Sequence, residues 1–439
     1  MLKNFLMNRK KASNMNQKIN KMISAVLALF TAASLSAVAA AENTDSAGFA
    51  VESELAVPAK APYDTKYVNI QWNTDEAETA GVPVAEGEHF LFPVGNKVKK
   101  LSEGNGELLG TAELNEKVAE NCRGAALGGI LVQPTRTSIY TINTADMSVV
   151  SSKGFGGSIS TDVALDGNYA YFGVRFESGS SFYCVDFTQD CSVVWEYKSA
   201  DSVTAATTSG GRIIFGAGTK LVVHEKDSGG CVETDIGAEI TGAPFAGQYA
   251  VFLPAADGRV YKLRLNDDGT MEDDSLVYCE VGGNVSAPAV FNGRLYVTSD
   301  EGFFIIDSLN MEVVEKFTDM EGGSAPFVCY GNGPRVYIVA PMEEYWCLFT
   351  VYDPGEDNDP EATKLAKLDH YEGGRAAVSA EGTLCMRDGL GRLYALTVAE
   401  YSLFYIILKL ALFLVLIVLI VLWLRFVIKK RVKDKSNFL

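Results

Sequence analysis

A unit of about 42 residues recurs eight times along this chain, and this repeat limits the fold more than any other feature of the sequence. Each copy begins with a short stretch of small residues, often with a proline, followed by a β-type segment, a turn and a second β-type segment. The middle residues of these starts are at positions 83, 126, 161, 206, 244, 288, 326 and 377. Repeats of about 20–50 residues are typical of solenoids, propellers and arrays.

The clearest copy is residues 286–308, in which two turns, Asn292-Gly293 and Glu301-Gly302, separate three short β-type segments. Most copies continue to a third segment, and several to a fourth. Four short strands in about 42 residues is the size of a propeller blade. The sequence therefore predicts an all-β fold, an eight-bladed β-propeller of four-stranded antiparallel blades over residues 64–398. The short second unit leaves seven blades as the alternative.

The eighth unit lacks a fourth strand, because it leads directly into an apolar segment near the C terminus. Residues 67–73, before the first unit, can supply the missing strand. Trp72 in this segment matches Trp195, which lies in a fourth strand, so both tryptophans are predicted to be structural. Such closure would leave no open edge between the first and last blades. The alternative is that residues 67–73 form a strand packed elsewhere.

The pattern in residues 286–308 resembles the PQQ-like, quinoprotein-type β-propeller repeat, and Trp195 occupies a place where that family often has a blade tryptophan. The resemblance covers roughly residues 64–398 and implies a ring of eight four-stranded blades. It does not imply the quinone. Quinone dehydrogenases of this superfamily hold the cofactor near two adjacent cysteines and a calcium ion, and no two cysteines are adjacent here.

Both ends of the chain have the features of targeting and membrane segments. Residues 1–41 combine a basic start, an apolar run and a small-residue end, which predicts a secretory signal peptide followed by a linker at 42–63; a retained N-terminal membrane helix is the alternative. Residues 402–428 are apolar apart from a few residues, including Lys409 and Arg425, and long enough to span a bilayer, and the tail at 429–439 is basic. These features predict a bacterial single-pass plasma-membrane protein with its propeller outside and its tail in the cytoplasm.

The exported region is strongly acidic. Residues 42–400 contain 25 Lys and Arg against 54 Asp and Glu, a net charge of −29. Such a surface repels phosphate backbones, so nucleic acid is excluded as a partner.

All eight cysteines lie in this exported region, where disulfides can form. The sequence suggests two pairs across hairpins, Cys184 with Cys191 and Cys329 with Cys347. The other cysteines have the character of small apolar strand residues.

No catalytic or cofactor-binding residue is predicted, because no known catalytic motif is present. The three histidines, His89, His224 and His370, fall in different units. Two loops, 266–274 and 353–361, are rich in carboxylates, which are calcium ligands. The weak candidates for a calcium site are Asp267, Asp268, Asp273, Asp357 and Asp359, and solvated turns are the alternative for both loops.

These observations together favour a non-enzymatic cell-surface binding or scaffold module. Propeller loops around a central channel suit the docking of a protein or glycan ligand on one face. Two alternatives stay open: an accessory subunit of a membrane transport or secretion complex, and a quinone- or calcium-binding enzyme that uses the channel.

Overall fold

The computed structural model describes the residues of the propeller strands and part of a C-terminal helix. The chain divides into two units, Met1–Val51 and Glu52–Leu439, and every described residue lies in the second. The described residues are 68–74, 81–226, 229–247, 250–330, 334–343, 345–353, 359–368, 376–379, 383–387, 393–398, 407–408, 410–416, 419–420 and 422–423. The predicted signal peptide, linker and basic tail lie outside them.

The strands form eight antiparallel sheets, which are the blades of a propeller. Strand β1 (Val68–Asn73) belongs to the last blade, so the first blade begins with β2. Blade 1 contains β2 (Val84–Glu86), β3 (His89–Val94), β4 (Lys97–Ser102) and β5 (Leu108–Glu113), and blade 2 contains β6 (Ala125–Leu127), β7 (Ile130–Pro134), β8 (Ser138–Asn143) and β9 (Val149–Gly154). Blade 3 contains β10 (Ser158–Ile159), β11 (Ala164–Asp166), β12 (Tyr169–Phe176), β13 (Gly179–Asp186) and β14 (Ser192–Ser199). Blade 4 contains β15 (Thr207–Ser209), β16 (Arg212–Ala217), β17 (Lys220–Glu225) and β18 (Cys231–Asp235).

The remaining blades follow in chain order. Blade 5 contains β19 (Phe245–Ala246), β20 (Val251–Pro254), β21 (Arg259–Leu263) and β22 (Val277–Glu280), and blade 6 contains β23 (Ala289–Phe291), β24 (Arg294–Ser299), β25 (Gly302–Asp307) and β26 (Glu312–Phe317). Blade 7 contains β27 (Phe327–Tyr330), β28 (Pro334–Pro341), β29 (Trp346–Tyr352) and β30 (Glu361–Leu368). Blade 8 contains β31 (Ala377–Val378), β32 (Leu384–Arg387) and β33 (Leu393–Val398) together with β1. A short 3-10 helix, Thr318–Met320, follows β26. The prediction of eight antiparallel blades is confirmed, and the seven-bladed alternative is excluded. Seven blades are four-stranded as predicted, and blade 3 has a fifth, short strand because both β10 and β11 pair with β12.

The last blade is closed by the N-terminal strand, as the sequence predicts. Strand β1 pairs antiparallel with β33, with Val68 opposite Val398 and Asn73 opposite Tyr394. The register shifts between Ile70 and Trp72, so one extra residue of β1 bulges out of the ladder. The first and last repeats of the chain are thereby joined in one sheet, and the ring has no open edge between them.

The core lies between the blades because the middle strands are buried on both faces. In β16 and β17 most side chains are buried, whereas β18 at the outer edge alternates between exposed and half-buried positions. Strands covered on both faces are continuously apolar, and edge strands alternate. The turn at Asn292-Gly293 joins β23 to β24 with positive φ at both residues, 49° and 75°. Asn-Gly favours this type of hairpin turn, because its twist matches that of the strands.

A repeated hydroxyl contact attaches the start of four blades to their second strands. The hydroxyl residue is Thr161, Thr204, Ser286 or Ser324, three positions before β11, β15, β23 or β27. Its hydroxyl accepts a hydrogen bond of 2.7–3.1 Å from a backbone N–H in β12, β16, β24 or β28. In each case the same hydroxyl donates to the next backbone carbonyl.

Two other blades lack both the hydroxyl acceptor and the N–H donor of this hydrogen bond. In blades 1 and 5 the hydroxyl residue is Gly81 or Gly242, and the residue facing it in the second strand is Pro93 or Pro254. Proline has no N–H to donate, so no acceptor is needed. A Cβ atom at either glycine would lie 3.1 Å from the proline Cγ, so the ring fills the space that a hydroxyl side chain takes elsewhere.

The two disulfides that the sequence left possible do not form. Cys184 packs in the apolar cluster between blades 3 and 4, and Cys191 packs in the cluster between blades 2 and 3. Both are free thiols, and they lie on opposite faces of the same blade. Cys347 is also free. Strand β28 lies between β27, which carries Cys329, and β29, which carries Cys347. Strands two positions apart are about 10 Å from each other, beyond the reach of a disulfide.

Among the described residues, no helix is long and apolar enough to span a membrane. The helical residues near the C terminus are 407–408, 410–416, 419–420 and 422–423. The predicted transmembrane segment at 402–428 is thus described only in part, and it stays a prediction.

Replacing Thr204 by valine should destabilise the fold, because it leaves the buried N–H of Gly216 without its acceptor. An unsatisfied buried donor costs about 1–3 kcal/mol. Urea unfolding of the purified chain measures this change in the free energy of unfolding. Thr208→Val is the matched control, since the hydroxyl of this half-buried residue makes no hydrogen bond to the described residues. Equal stabilities of the two variants would contradict the proposed role of the hydroxyl.

Candidate binding site between the third and fourth blades

The acidic residues singled out in the sequence are dispersed. Asp267, Asp268 and Asp273 lie in the loop between β21 and β22, and Asp359 is exposed before β30, whereas Asp357 lies outside the described residues. Asp268 accepts hydrogen bonds from the side chain and backbone of Thr270, which lower the pKa of its carboxyl. In the part of the chain that the structure describes, no three His, Cys, Asp or Glu side chains are grouped closely enough to hold a metal ion. The calcium site stays an untested prediction.

The loop between β21 and β22 contacts the neighbouring blade. The Arg212 guanidinium of blade 4 donates a hydrogen bond to the backbone carbonyl of Asp267. Gly269, with φ of 81°, lies so close to β17 that a Cβ atom there would be 3.2 Å from Val223. The loop therefore joins blade 5 to blade 4, and its carboxylates do not converge on a common point.

A groove of about 200 Å³ lies instead at the outer seam between blades 3 and 4. We call it the seam groove. Its lining residues come from β14, from the middle strands of blade 4 and from the start of β18, and they are Trp195, Glu196, Tyr197, Phe215, Val222, His224, Gly229 and Cys231. The groove exists only because two repeats are adjacent in the ring.

Stacked aromatic rings form the wall and floor of the seam groove. The rings of Phe182 and Phe215 stack across the two blades with centroids 4.0 Å apart. Trp195 packs against Phe182 within its own blade and against His224 of the next blade, at 6.0 and 4.2 Å. Tyr197 meets Phe215 edge to face at 5.4 Å. These contacts hold the seam together and leave the outer parts of Trp195 and Tyr197 half-exposed.

Trp195 and Trp72 occupy equivalent backbone positions. In β14 the extra residue of a bulge is Val194, and Trp195 follows it. In β1 the extra residue is Gln71, and Trp72 follows it. Both strands are the outermost strands of their blades, which agrees with the correspondence drawn from the sequence. The side chain of Trp72 lies outside the described residues.

His224 and Cys231 are directly opposite each other on adjacent strands, β17 and β18. Their side chains therefore project from the same face, with Cβ atoms about 5 Å apart. His224 is only 8% exposed, and its imidazole makes no hydrogen bond to any residue that the structure describes. Burial lowers the pKa of His224 and raises that of the exposed Cys231, which the charge of Glu233 raises further. His89 lies at the start of β3, and His370 is outside the described residues.

The two carboxylates at the groove, Glu233 and Glu196, already have hydrogen-bond partners. Glu233 accepts hydrogen bonds from Lys220 at 2.5 Å and Tyr197 at 3.0 Å. The hydrogen bond from Lys220 is the main cause that lowers the pKa of Glu233. The carboxylate of Glu196 accepts hydrogen bonds from Ser181 and Tyr183. The groove thus presents aromatic surface, one imidazole and one thiol.

A second feature of the surface is a set of apolar side chains on the outer strands of five blades. We call them the rim pairs: Leu108-Leu109, Val149-Val150, Val193-Val194, Val277-Tyr278 and Val313-Val314. All ten side chains are 39–58% exposed. In four pairs the second residue is the extra residue of a β-bulge, a feature that increases local twist and bends the edge strand. Three of these pairs are Val-Val dipeptides in the sequence, but no sequence pattern distinguishes them from buried strand residues.

Three solved structures are similar to this fold. BamB from Moraxella catarrhalis is 11% identical, with a TM-score of 0.58 over 76% of this chain and 99% of that chain. The computationally designed protein Ika8 is 12% identical, with a TM-score of 0.56 over 77% and 99%. The quinohemoprotein alcohol dehydrogenase from Comamonas testosteroni is 12% identical, with a TM-score of 0.55 over 78% and 79%.

These similarities show a shared fold and no more. The resemblance to quinoprotein-type propellers is thereby supported at the level of fold. No family model matches the sequence, and none of the curated proteins is similar to it.

Replacing His224 by phenylalanine should reduce the loss of stability on acidification. Because burial lowers the pKa of His224 below 6.5, the unfolded chain binds this proton more readily than the folded chain. The stability that depends on the neutral ring is complete above about pH 6.5 and is lost as the pH falls through the lower, folded-state pKa. Melting temperatures between about pH 7.5 and 5.5 should fall more for the wild type than for the variant. Equal falls would contradict this prediction.

Proposed function

We propose that this chain is a non-enzymatic binding or scaffold module, which presents its propeller to a protein partner outside the cell. The observation that carries the proposal is the set of rim pairs. Each pair places two large, exposed apolar side chains side by side on the outermost strand of its blade, and this arrangement recurs in five blades. Exposed apolar patches are typical of protein interaction sites. Apolar contacts favour a protein over a glycan as the ligand.

The bulges also indicate how a partner would dock. A regular edge strand can accept another strand through its backbone, and a bulge interrupts that ladder. At four of the five rim pairs the bulge therefore disfavours strand addition and leaves side-chain packing as the means of contact. If the partner is itself a membrane protein, this chain would act as an accessory subunit of a transport or secretion complex.

The fold alone does not decide between binding and catalysis. A quinohemoprotein alcohol dehydrogenase has a similar fold, and so has BamB. We favour binding because the rim pairs are a positive feature of this chain that a role in the central channel leaves without explanation.

Five double variants test the role of the rim pairs, each with one pair changed to two serines. Losing two buried apolar side chains should weaken a partner's affinity at least about tenfold. We expect at least one variant to lose a protein that co-purifies with the full-length wild type from its own cells. Lys198→Ser, an exposed change on the same strand as Val193-Val194, is the control. If all five variants retain the same proteins as the control, the proposal is wrong.

We also propose that residues 1–41 are removed on export, that 42–63 are a linker, and that 402–428 span the plasma membrane with 429–439 in the cytoplasm. The support is the apolar sequence of 402–428, with Leu410 62% and Trp423 63% exposed in its helical part, followed by a basic tail.

Alkaline extraction of membranes tests the anchor. The full chain should stay in the membrane pellet, and a chain without residues 402–439 should be released. Protease added to intact cells should degrade residues 64–398 and spare an epitope on the tail. Release of the full chain by alkali would contradict the anchor, and a protected propeller would contradict the orientation.

A further inference from the structure

The seam groove contains a pair of side chains that none of the roles above uses. His224 and Cys231 project from the same face of adjacent strands and line the groove, and the ring of Trp195 packs against His224. Cys231 is exposed, whereas Cys184, Cys191, Cys279, Cys347 and Cys385 are buried free thiols. His224 is more than nine-tenths buried, lines the same groove and lacks a hydrogen bond within the described part of the chain. The ring nitrogens of His224 are not among the buried atoms that lack a partner, so they are open to the groove and available to a ligand there.

The two groups have the chemistry and the spacing to share one ion. A metal lies about 2.3 Å from a thiolate sulfur and about 2.0 Å from an imidazole nitrogen. An ion between Cys231 and His224 therefore needs the sulfur and nitrogen no more than about 4.3 Å apart. Cross-strand partners have Cβ atoms about 5 Å apart, which allows this separation. Thiolate with imidazole is a soft ligand set, and two ligands suffice for Cu(I) and Ag(I).

The surroundings favour a cation at this point. The face of an indole ring attracts cations, and Trp195 lies 4.2 Å from His224. The net charge of −29 on residues 42–400 also raises the local concentration of cations.

We propose that the seam groove binds a soft monovalent cation of the Cu(I) class between the thiolate of Cys231 and a ring nitrogen of His224. Binding replaces the thiol proton by the metal: the S–H bond breaks, an S–metal bond forms and one proton goes to solvent. The imidazole donates a nitrogen lone pair. No electron is transferred, and the oxidation state of the ion is unchanged.

Silver(I) is the probe, because it has the same ligand preference and is stable in air. Equilibrium dialysis of the full-length chain in detergent should show that Ag(I) binds and that its affinity depends on both Cys231 and His224. We expect Cys231→Ser and His224→Phe each to weaken binding at least about tenfold. His224→Phe keeps an aromatic ring on Trp195 and removes both nitrogens. Thr234→Ala, on the same strand, is the control and should bind as the wild type does.

Fluorescence provides a second readout that a structural effect of the substitutions would not imitate. The chain has four tryptophans, and Trp195 packs against His224, one of the two residues proposed to hold the ion. Ag(I) should quench the emission of the wild type, and Trp195→Phe should remove most of that quenching while retaining the ion. Because Cys231 is exposed, Cys231→Ser stays folded and informative even if His224→Phe does not.

Two outcomes would overturn the proposal. If Cys231→Ser binds Ag(I) as tightly as the wild type, the groove is not the site. If Cys231→Ser loses the ion but a folded His224→Phe or His224→Asn variant retains it at full affinity, the wild type forms a simple thiol adduct and the two-residue site is wrong.

Discussion

The pairing of β1 with β33 is the contact on which the rest of the ring depends. Each apolar cluster lies between two blades, so each blade needs a neighbour on both sides. One cluster packs Phe90 and Phe92 of blade 1 against Cys385, Leu393 and Ala395 of blade 8. Without β1, the edge of β33 would be open, and the last blade would have only three strands beside that cluster. Closure thus joins residues more than 300 positions apart in the sequence.

Basic side chains reinforce several seams through the backbone of the next blade. Lys100 in β4 donates to the carbonyl of Thr144, in the turn between β8 and β9. Lys262 in β21 donates to the carbonyls of Ser308 and Leu309, in the corresponding turn of blade 6. Both lysines are the fourth residue of a third strand, so the same contact recurs at two seams. Burial lowers the pKa of Lys262, and the carbonyls that it binds compensate for part of its lost hydration.

The propeller could be predicted from the sequence because every repeat shows the same local preferences for strands and tight turns. Asn292-Gly293 specifies a tight hairpin turn, and the match of Trp72 to Trp195 places residues 67–73 in an outer strand. The sequence could not exclude the two disulfides, because spacing along the chain does not show which face of a blade a cysteine occupies. Cys184 and Cys191 are seven residues apart and lie on opposite faces. The seam groove could not be predicted, because its walls come from two repeats whose adjacency only the ring creates.

Hydrogen exchange at the closing strand of the full-length chain tests the central role of ring closure most directly. If β1 is an integral part of the last blade, the backbone amides that bond across the β1–β33 ladder should open together. We predict a common exchange rate for the ladder amides of residues 68–73 and 393–398, within about tenfold of that for β16 and β17 in an interior blade. Rapid exchange of residues 68–73 while 393–398 stay protected would contradict closure by this strand.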